Sequence, residues 1–242
     1  MFNEIDRLQR KILDLMPFAI EMQRQLKEYY RVGLTYSSNA IEGNSLTLSE
    51  TKVVLEDGLT VGGKPLRDHL EARGHSDAYD WLYDLVAKDG IEEKDILRMH
   101  YLFYRYLDEN EAGKYRKSSV VVTGTDFVFP TPDEVPALMA GLVASMKQDN
   151  EHLHPVEWAA NVQADFVTIH PFLDGNGRVA RLLMNLLLFK ENYPITIVPP
   201  IRRPEYIATI RKANRGDTED FALLIADFVK EAQRELIRFF AR

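Results

Sequence analysis

Between Val179 and Phe189 nearly every residue is apolar. Val179, Leu182, Leu183, Leu186 and Leu187 follow the i, i+3, i+4, i+7, i+8 spacing of a buried helical face, and Met184, Leu188 and Phe189 widen it. A helix apolar on so many sides must be surrounded by other elements, which places it at the centre of the fold. Its polar residues fall on one narrow stripe, with Arg178, Arg181 and Asn185 at i, i+3 and i+7. Both arginines lie in the first turn, where the helix dipole already supplies about half a positive charge. Cations there cost from a few tenths to about 1 kcal/mol unless an anion is near. The helix therefore implies an anion.

The residues just upstream point to the same chemistry. His170 precedes Pro171, and a residue before proline is pushed out of the α region, so the preceding helix should end near Ile169 and leave the imidazole at a helix-to-loop corner. Asp174-Gly175-Asn176-Gly177 then makes a turn whose glycines let the backbone approach a ligand closely. Exposed amides, a helix N-terminus and two guanidiniums together make a polyphosphate site, with Asp174 placed to hold a divalent metal.

The run His-Pro-Phe-Leu-Asp-Gly-Asn-Gly-Arg-Val-Ala-Arg, from His170 to Arg181, resembles the Fic family signature at every defining position. The resemblance extends from about Gly33 to the C-terminus. It implies a mainly α, Fic-type helical bundle and an adenylyltransferase that moves AMP from ATP, with Mg2+, onto a Ser, Thr or Tyr hydroxyl of a target protein. By the same resemblance His170 is the general base and Asp174 the magnesium ligand. Gly175, Asn176 and Gly177 form the anion hole, and Arg178 and Arg181 bind phosphate. The family also allows self-modification and a homodimer.

Upstream, Tyr36 to Asn44 reads as one short helix of about residues 36–43, with serines supplying N-cap chemistry and Gly43 the C-cap. Ser38 and Glu42 share a face. A carboxylate in a last turn opposes the dipole and wants a partner, but spacing alone describes Glu42 equally as a solvated glutamate. Ser-x-x-x-Glu-Gly resembles the inhibitory motif of Fic proteins, which implies that Glu42 pairs with Arg181. It also opens a reverse reaction, in which Glu42 aligns water to remove AMP.

Apolar spacing predicts further helices over residues 4–31 with a break near Pro17, then 46–55, 67–89, 93–107, 133–146, 155–169, 204–214 and 217–240. The chain reads as a single domain, 1–242, with N-terminal helices over 1–58 and a Fic core over 59–242. The only strand signal is Ser118 to Pro130, where β-branched residues flank a glycine-containing turn and predict a small β-hairpin. It follows Gly113-Lys114-Tyr115-Arg116, after which Fic proteins carry a flap over the nucleotide. That resemblance puts Val120, Val121, Val122 and Thr123 above ATP. It also assigns Tyr206 and Asn214 to the adenine pocket, although Ile207 stands where many relatives have a second tyrosine. The alternative for Tyr206 is an ordinary core tyrosine.

Composition narrows the remaining classes. The chain has no cysteine, which excludes disulfides and cysteine-based zinc sites, and its net charge of −7 argues against nucleic acid as the main partner. No apolar run is long enough to span a bilayer, and the opening Met-Phe-Asn-Glu-Ile-Asp does not read as a secretory signal, so the expected location is cytoplasmic. A metal-dependent phosphohydrolase is poorly supported. His69, His75, His100, His152 and His154 include no His-Asp or His-Glu-x-x-His pattern and are expected to be solvated or capping. A non-catalytic nucleotide sensor would keep the anion hole but would have no need of His170.

Overall fold

A computed structural model describes residues 2–122, 124–147 and 152–240. Among these residues the chain forms ten α-helices: α1 (Phe2–Asp14), α2 (Ile20–Ile41), α3 (Leu48–Lys52), α4 (Leu66–Val86), α5 (Glu93–Tyr104), α6 (Val135–Lys147), α7 (Pro155–Ile169), α8 (Asn176–Lys190), α9 (Arg203–Ala213) and α10 (Glu219–Phe240). A π-helical turn, Val53–Asp57, extends α3, and a 3-10 turn, Pro200–Arg202, leads into α9.

The apolar helix is central, as its composition requires. Every residue of α8 from Arg178 to Leu188 is buried, with α7, α4, α5 and α2 packed around it. One continuous apolar cluster runs from Ile5 on α1 to Val229 on α10, and a small satellite of Leu46, Val54 and Ala72 sits beneath α3. Burying Val179, Leu182, Leu183, Met184, Leu186, Leu187 and Leu188 at roughly 1.5–3 kcal/mol each makes this helix the main source of stability near the site. None of the helices is long and apolar enough to cross a membrane.

Two expectations are corrected. The short helix over residues 36–43 is the last two turns of the long α2, because Gly33 does not interrupt the helix. A Cβ at Gly33 would come within 2.9 Å of the Ile197 side chain, so its missing side chain serves packing. Gly43 does end the helix, at φ +96, with Asn44 N–H donating to the Asn39 carbonyl and Gly43 N–H to the Ala40 carbonyl. Arg203 Nε covers the Ile41 carbonyl at 2.5 Å.

The second correction is the β-hairpin. No strand forms among the described residues, although the in-and-out alternation is present: Val120, Val122, Phe127 and Phe129 turn inward while Val121 and Val128 are exposed. The arms are joined at their base by a side chain. Arg116, itself buried, donates Nη1 to Ser118 O at 3.0 Å, Nη2 to Pro130 O at 2.5 Å and Nε to His170 O at 2.8 Å. A guanidinium between the arms replaces ladder hydrogen bonds, Pro130 has no N–H to give, and a lone two-stranded ribbon is marginal in water. Thr123 lies outside the described residues.

Candidate active site

The α7-to-α8 corner places His170 as expected but in a different backbone state. It closes α7 in the left-handed conformation, φ 51 and ψ 58, with its N–H on the Phe166 carbonyl, where proline alone would favour an extended residue. Left-handed backbone is costly for a non-glycine residue. It is held here by Arg116 on the His170 carbonyl and by the Phe129 ring, 4.7 Å from the imidazole. Neither ring nitrogen makes a well-aligned hydrogen bond among the described residues, and Nδ1 is buried. Burial pushes the imidazole down to about 4, against a smaller upward pull from the Val167 carbonyl, so it is neutral at pH 7 and free to accept a proton.

The loop between the helices is braced from within and from behind. Asn176 is not presented to a ligand: its Oδ1 accepts from Phe172 N and its Nδ2 donates to Phe172 O, closing the turn. His100 stacks on Phe172 at 3.7 Å, accepts Gly113 N–H on Nδ1 and donates Nε2–H to the Asp174 carbonyl. With His75 and His69 also buried, three of the five histidines expected to be solvated or capping are instead enclosed by the fold. Burial favours the neutral ring of His75, pushed down to about 3, and of His100, pushed down to about 4. His154 caps α7, and His152 is exposed.

The anion implied at the start of α8 is supplied by the chain itself. Arg181 donates Nη2 to Glu42 Oε1 at 2.7 Å and to Ser38 O at 2.8 Å, and Nε to Ser38 Oγ at 3.0 Å. Arg178 lies 3.0 Å from Glu71 Oε1 and 3.1 Å from Asp174 Oδ1, with its guanidinium over the Phe103 ring. The Glu42 carboxylate rests on the loop: a Cβ at Gly177 would come within 2.3 Å of Glu42 Oε1, so only glycine admits it. Burial pushes the Glu42 carboxyl up, but the charges of Arg181 and Arg178 outweigh this and the net shift is downward. About a third of the Glu42 side chain, 34%, still faces solvent. It is thus enclosed by protein yet open on one side.

Two of these residues were not visible in the sequence as site residues. Arg67 and Glu71 stand four apart on α4, which reads as an ordinary exposed ion pair. In the fold Arg67 Nη2 reaches Asp174 Oδ2 at 2.7 Å and its Nε reaches Glu71 Oε1 at 3.0 Å. Three guanidiniums (Arg67, Arg178, Arg181) therefore meet three carboxylates (Glu42, Glu71, Asp174), and the cluster is close to neutral. Asp174 offers a hard carboxylate oxygen at the site mouth, the kind of donor a magnesium ion takes.

The other expected contacts fall in different places. Tyr206 is 0% exposed, with its hydroxyl accepting from Gln163 Nε2 at 2.6 Å and its ring beneath Arg181, so it has no surface for adenine and is a core tyrosine. Its apolar ring and single satisfied hydroxyl explain the placement. Asn214 ends α9 and accepts from Thr168 Oγ1 at 3.1 Å. Asn185 belongs to the core, where its side chain pairs with the Thr196 N–H and carbonyl. Val120 and Val122 are half-buried and Val121 is exposed on the arm anchored by Arg116.

Comparison with known proteins follows the same residues. Residues 90–188 match the Fic/DOC family model. Over 229 residues the chain is 36% identical to the protein adenylyltransferase Fic of Nematostella vectensis, an alignment covering 93% of this chain and 53% of that protein. The chain thus spans about half the length of the curated relatives it matches. The solved structure of Fic-1 (residues 134–508) from C. elegans is 32% identical and superposes with a TM-score of 0.85 over 97% of this chain and 69% of that one. A Fic domain containing signaling protein from Bacteroides thetaiotaomicron is 27% identical, with a TM-score of 0.85 over 96% of this chain and 95% of its own.

Proposed function

Because the chain belongs to the Fic/DOC family, we propose that it transfers AMP from ATP to a hydroxyl of a target protein and that Glu42 restrains this transfer. The observation that carries the reading is the Glu42 carboxylate on the anion loop, 2.7 Å from Arg181 and within contact of Gly177. A carboxylate there holds the guanidinium that a terminal phosphate needs and repels that phosphate as well. With its charges balanced, the cluster offers little net field to a polyphosphate until a carboxylate withdraws or a cation arrives.

Once Glu42 withdraws, the amides at the start of α8 together with Arg178 and Arg181 hold the phosphates. A magnesium ion on Asp174 would supply further neutralisation of phosphate charge. His170 accepts the proton of the attacking hydroxyl as that oxygen bonds to the α-phosphorus. The bond from the α-phosphorus to the β-phosphate oxygen breaks, and pyrophosphate leaves. The residues contribute position and charge, with one proton transfer at the imidazole.

The test uses α-labelled and γ-labelled ATP with intact-mass measurement of acceptor and enzyme. AMP transfer attaches the α label only, phosphate transfer attaches the γ label, and hydrolysis attaches neither. His170→Ala should lower transfer by roughly 10² to 10⁴-fold while nucleotide affinity holds, because the imidazole moves a proton and binds no phosphate. Transfer undiminished in that variant would overturn the assignment of His170.

A further inference from the structure

The two oxygens of Asp174 have different partners. Oδ1 is turned inward, accepting Gly175 N–H at 2.6 Å and lying 3.1 Å from Arg178 Nη2. Oδ2 is turned outward and is occupied by Arg67 Nη2 at 2.7 Å. Arg67 stands in the first turn of α4 with 57% of its side chain exposed, and its other hold is Nε on Glu71, one turn along the same helix. Arg178, by contrast, is buried and does not reach Oδ2. The outward oxygen is thus covered by a mobile type of side chain on a rigid base, whose own helix end gains nothing from a cation.

We infer that Arg67 is a positioning residue that stands in for the divalent cation: it neutralises Asp174 Oδ2 while the site is empty and must leave that oxygen before a metal–nucleotide complex can take it. The inference rests on the proposed nucleotide chemistry. Arg67 keeps the Asp174 side chain in place, with Oδ1 on the loop amide, so the carboxylate is set for a metal beforehand. The cost is competition. An exposed guanidinium–carboxylate contact contributes little net free energy, so a compact double charge accompanied by phosphate oxygens displaces it, whereas free metal at low concentration does not. Glu71 gives the displaced guanidinium a place to remain, through the Nε contact it already makes.

Nucleotide binding, measured by calorimetry with a non-hydrolysable ATP analogue at increasing magnesium, separates this role from a structural one. It should be run in the full chain and again with Glu42→Gly, so that restraint by Glu42 does not mask the metal. In Arg67→Ala the magnesium concentration giving half-maximal binding should fall by about threefold to fivefold, the equivalent of up to ~1 kcal/mol. Arg67→Lys, which keeps the charge but loses the fork, should fall between the two. Arg73→Ala, an exposed arginine of the same helix paired with Asp77 and not with Asp174, should leave the midpoint unchanged. An unchanged or raised midpoint in Arg67→Ala overturns the inference. So does an equal loss of nucleotide affinity with and without magnesium, which would make Arg67 a direct phosphate ligand. Failure of the wild type and of Glu42→Gly to bind the analogue at any magnesium concentration would instead overturn the proposed function, and this inference with it.

Discussion

Arg178 and Arg181 sit one turn apart on the same helix, both buried, and each lies within 3.0 Å of a glutamate from another helix, by charge contact for Arg178 and by hydrogen bond for Arg181, yet the two pairs are built differently. Glu71 projects from the body of α4, 8% exposed, and is also bound by Arg67 Nε and by Asn44 Nδ2 at 3.0 Å each. Glu42 caps the end of α2, 34% exposed, and among the described residues its only charged partner within bonding distance is Arg181. Glu71 is a pair that the fold cannot release, because three groups and two helices close around it. Glu42 needs only a rotation of its own side chain toward solvent, while Ser38 continues to hold the Arg181 guanidinium through its hydroxyl and carbonyl. The first pair is part of the architecture, and the second is suited to exchange for a ligand.

This contrast can be broken most directly at Glu71. Glu71→Ala leaves a buried guanidinium short of its counter-ion and should cost roughly 3–5 kcal/mol of unfolding free energy, read as the shift of a urea midpoint. Nucleotide affinity should fall too, since Arg178 loses its fixed direction. A loss no larger than that of Glu42→Gly would put Glu71 in the same class as Glu42.

Glu42→Gly should do the opposite. Removing Glu42 leaves the buried Arg181 with Ser38 and entering water but no carboxylate, so the stability cost should stay below the roughly 3–5 kcal/mol of a dry buried pair, and AMP transfer should rise by at least tenfold, or about 1.4 kcal/mol of barrier. Transfer assays with the labelled ATP described above give the readout. No rise on any hydroxyl acceptor would end the restraint argument, and loss of an AMP-removing activity would favour the reverse reaction.

The smallest effect is a dependence on pH. The folded pKa of Glu42 lies below its ordinary value of 4.5. Its contribution to stability is therefore present above about pH 4.5 and is lost as pH falls through the folded value, because the unfolded chain binds the proton first. The stability advantage of the wild type over Glu42→Gln should shrink between pH 6 and pH 3 in paired denaturant titrations. Comparing the pair cancels the acid sensitivity of the buried neutral histidines, which lose stability in the same direction. A difference that stays constant or grows toward acid would contradict the lowered pKa.

Much of this was legible in residue spacing. The apolar periodicity of Val179 to Phe189 required a central helix, His170-Pro171 required a corner, and two arginines in a first turn required an anion; each is a property of one helix or one turn, set by local geometry. The inward alternation of Val120, Val122, Phe127 and Phe129 was legible for the same reason. What spacing could not say is which groups would meet. Arg181 and Glu42 are 139 residues apart, and Arg67 and Asp174 are 107, so their contacts depend on how α2, α4 and α8 pack. The sequence leaves Tyr206 between an adenine contact and a core tyrosine, and the fold decides for the core, under Arg181. At the base of the expected hairpin the Ser118 and Pro130 carbonyls are taken by Arg116, a residue before the strand pattern that reaches both arms only once they fold beside the α7 corner. By itself, the sequence determined the helices, their buried faces and the need for an anion, because those follow from backbone period and dipole. The family resemblance named Glu42 as the partner of Arg181, but the tertiary structure alone decided that Glu71 and Asp174 complete the set of anions, because a buried charge is satisfied by whatever packing brings within about 3 Å of it.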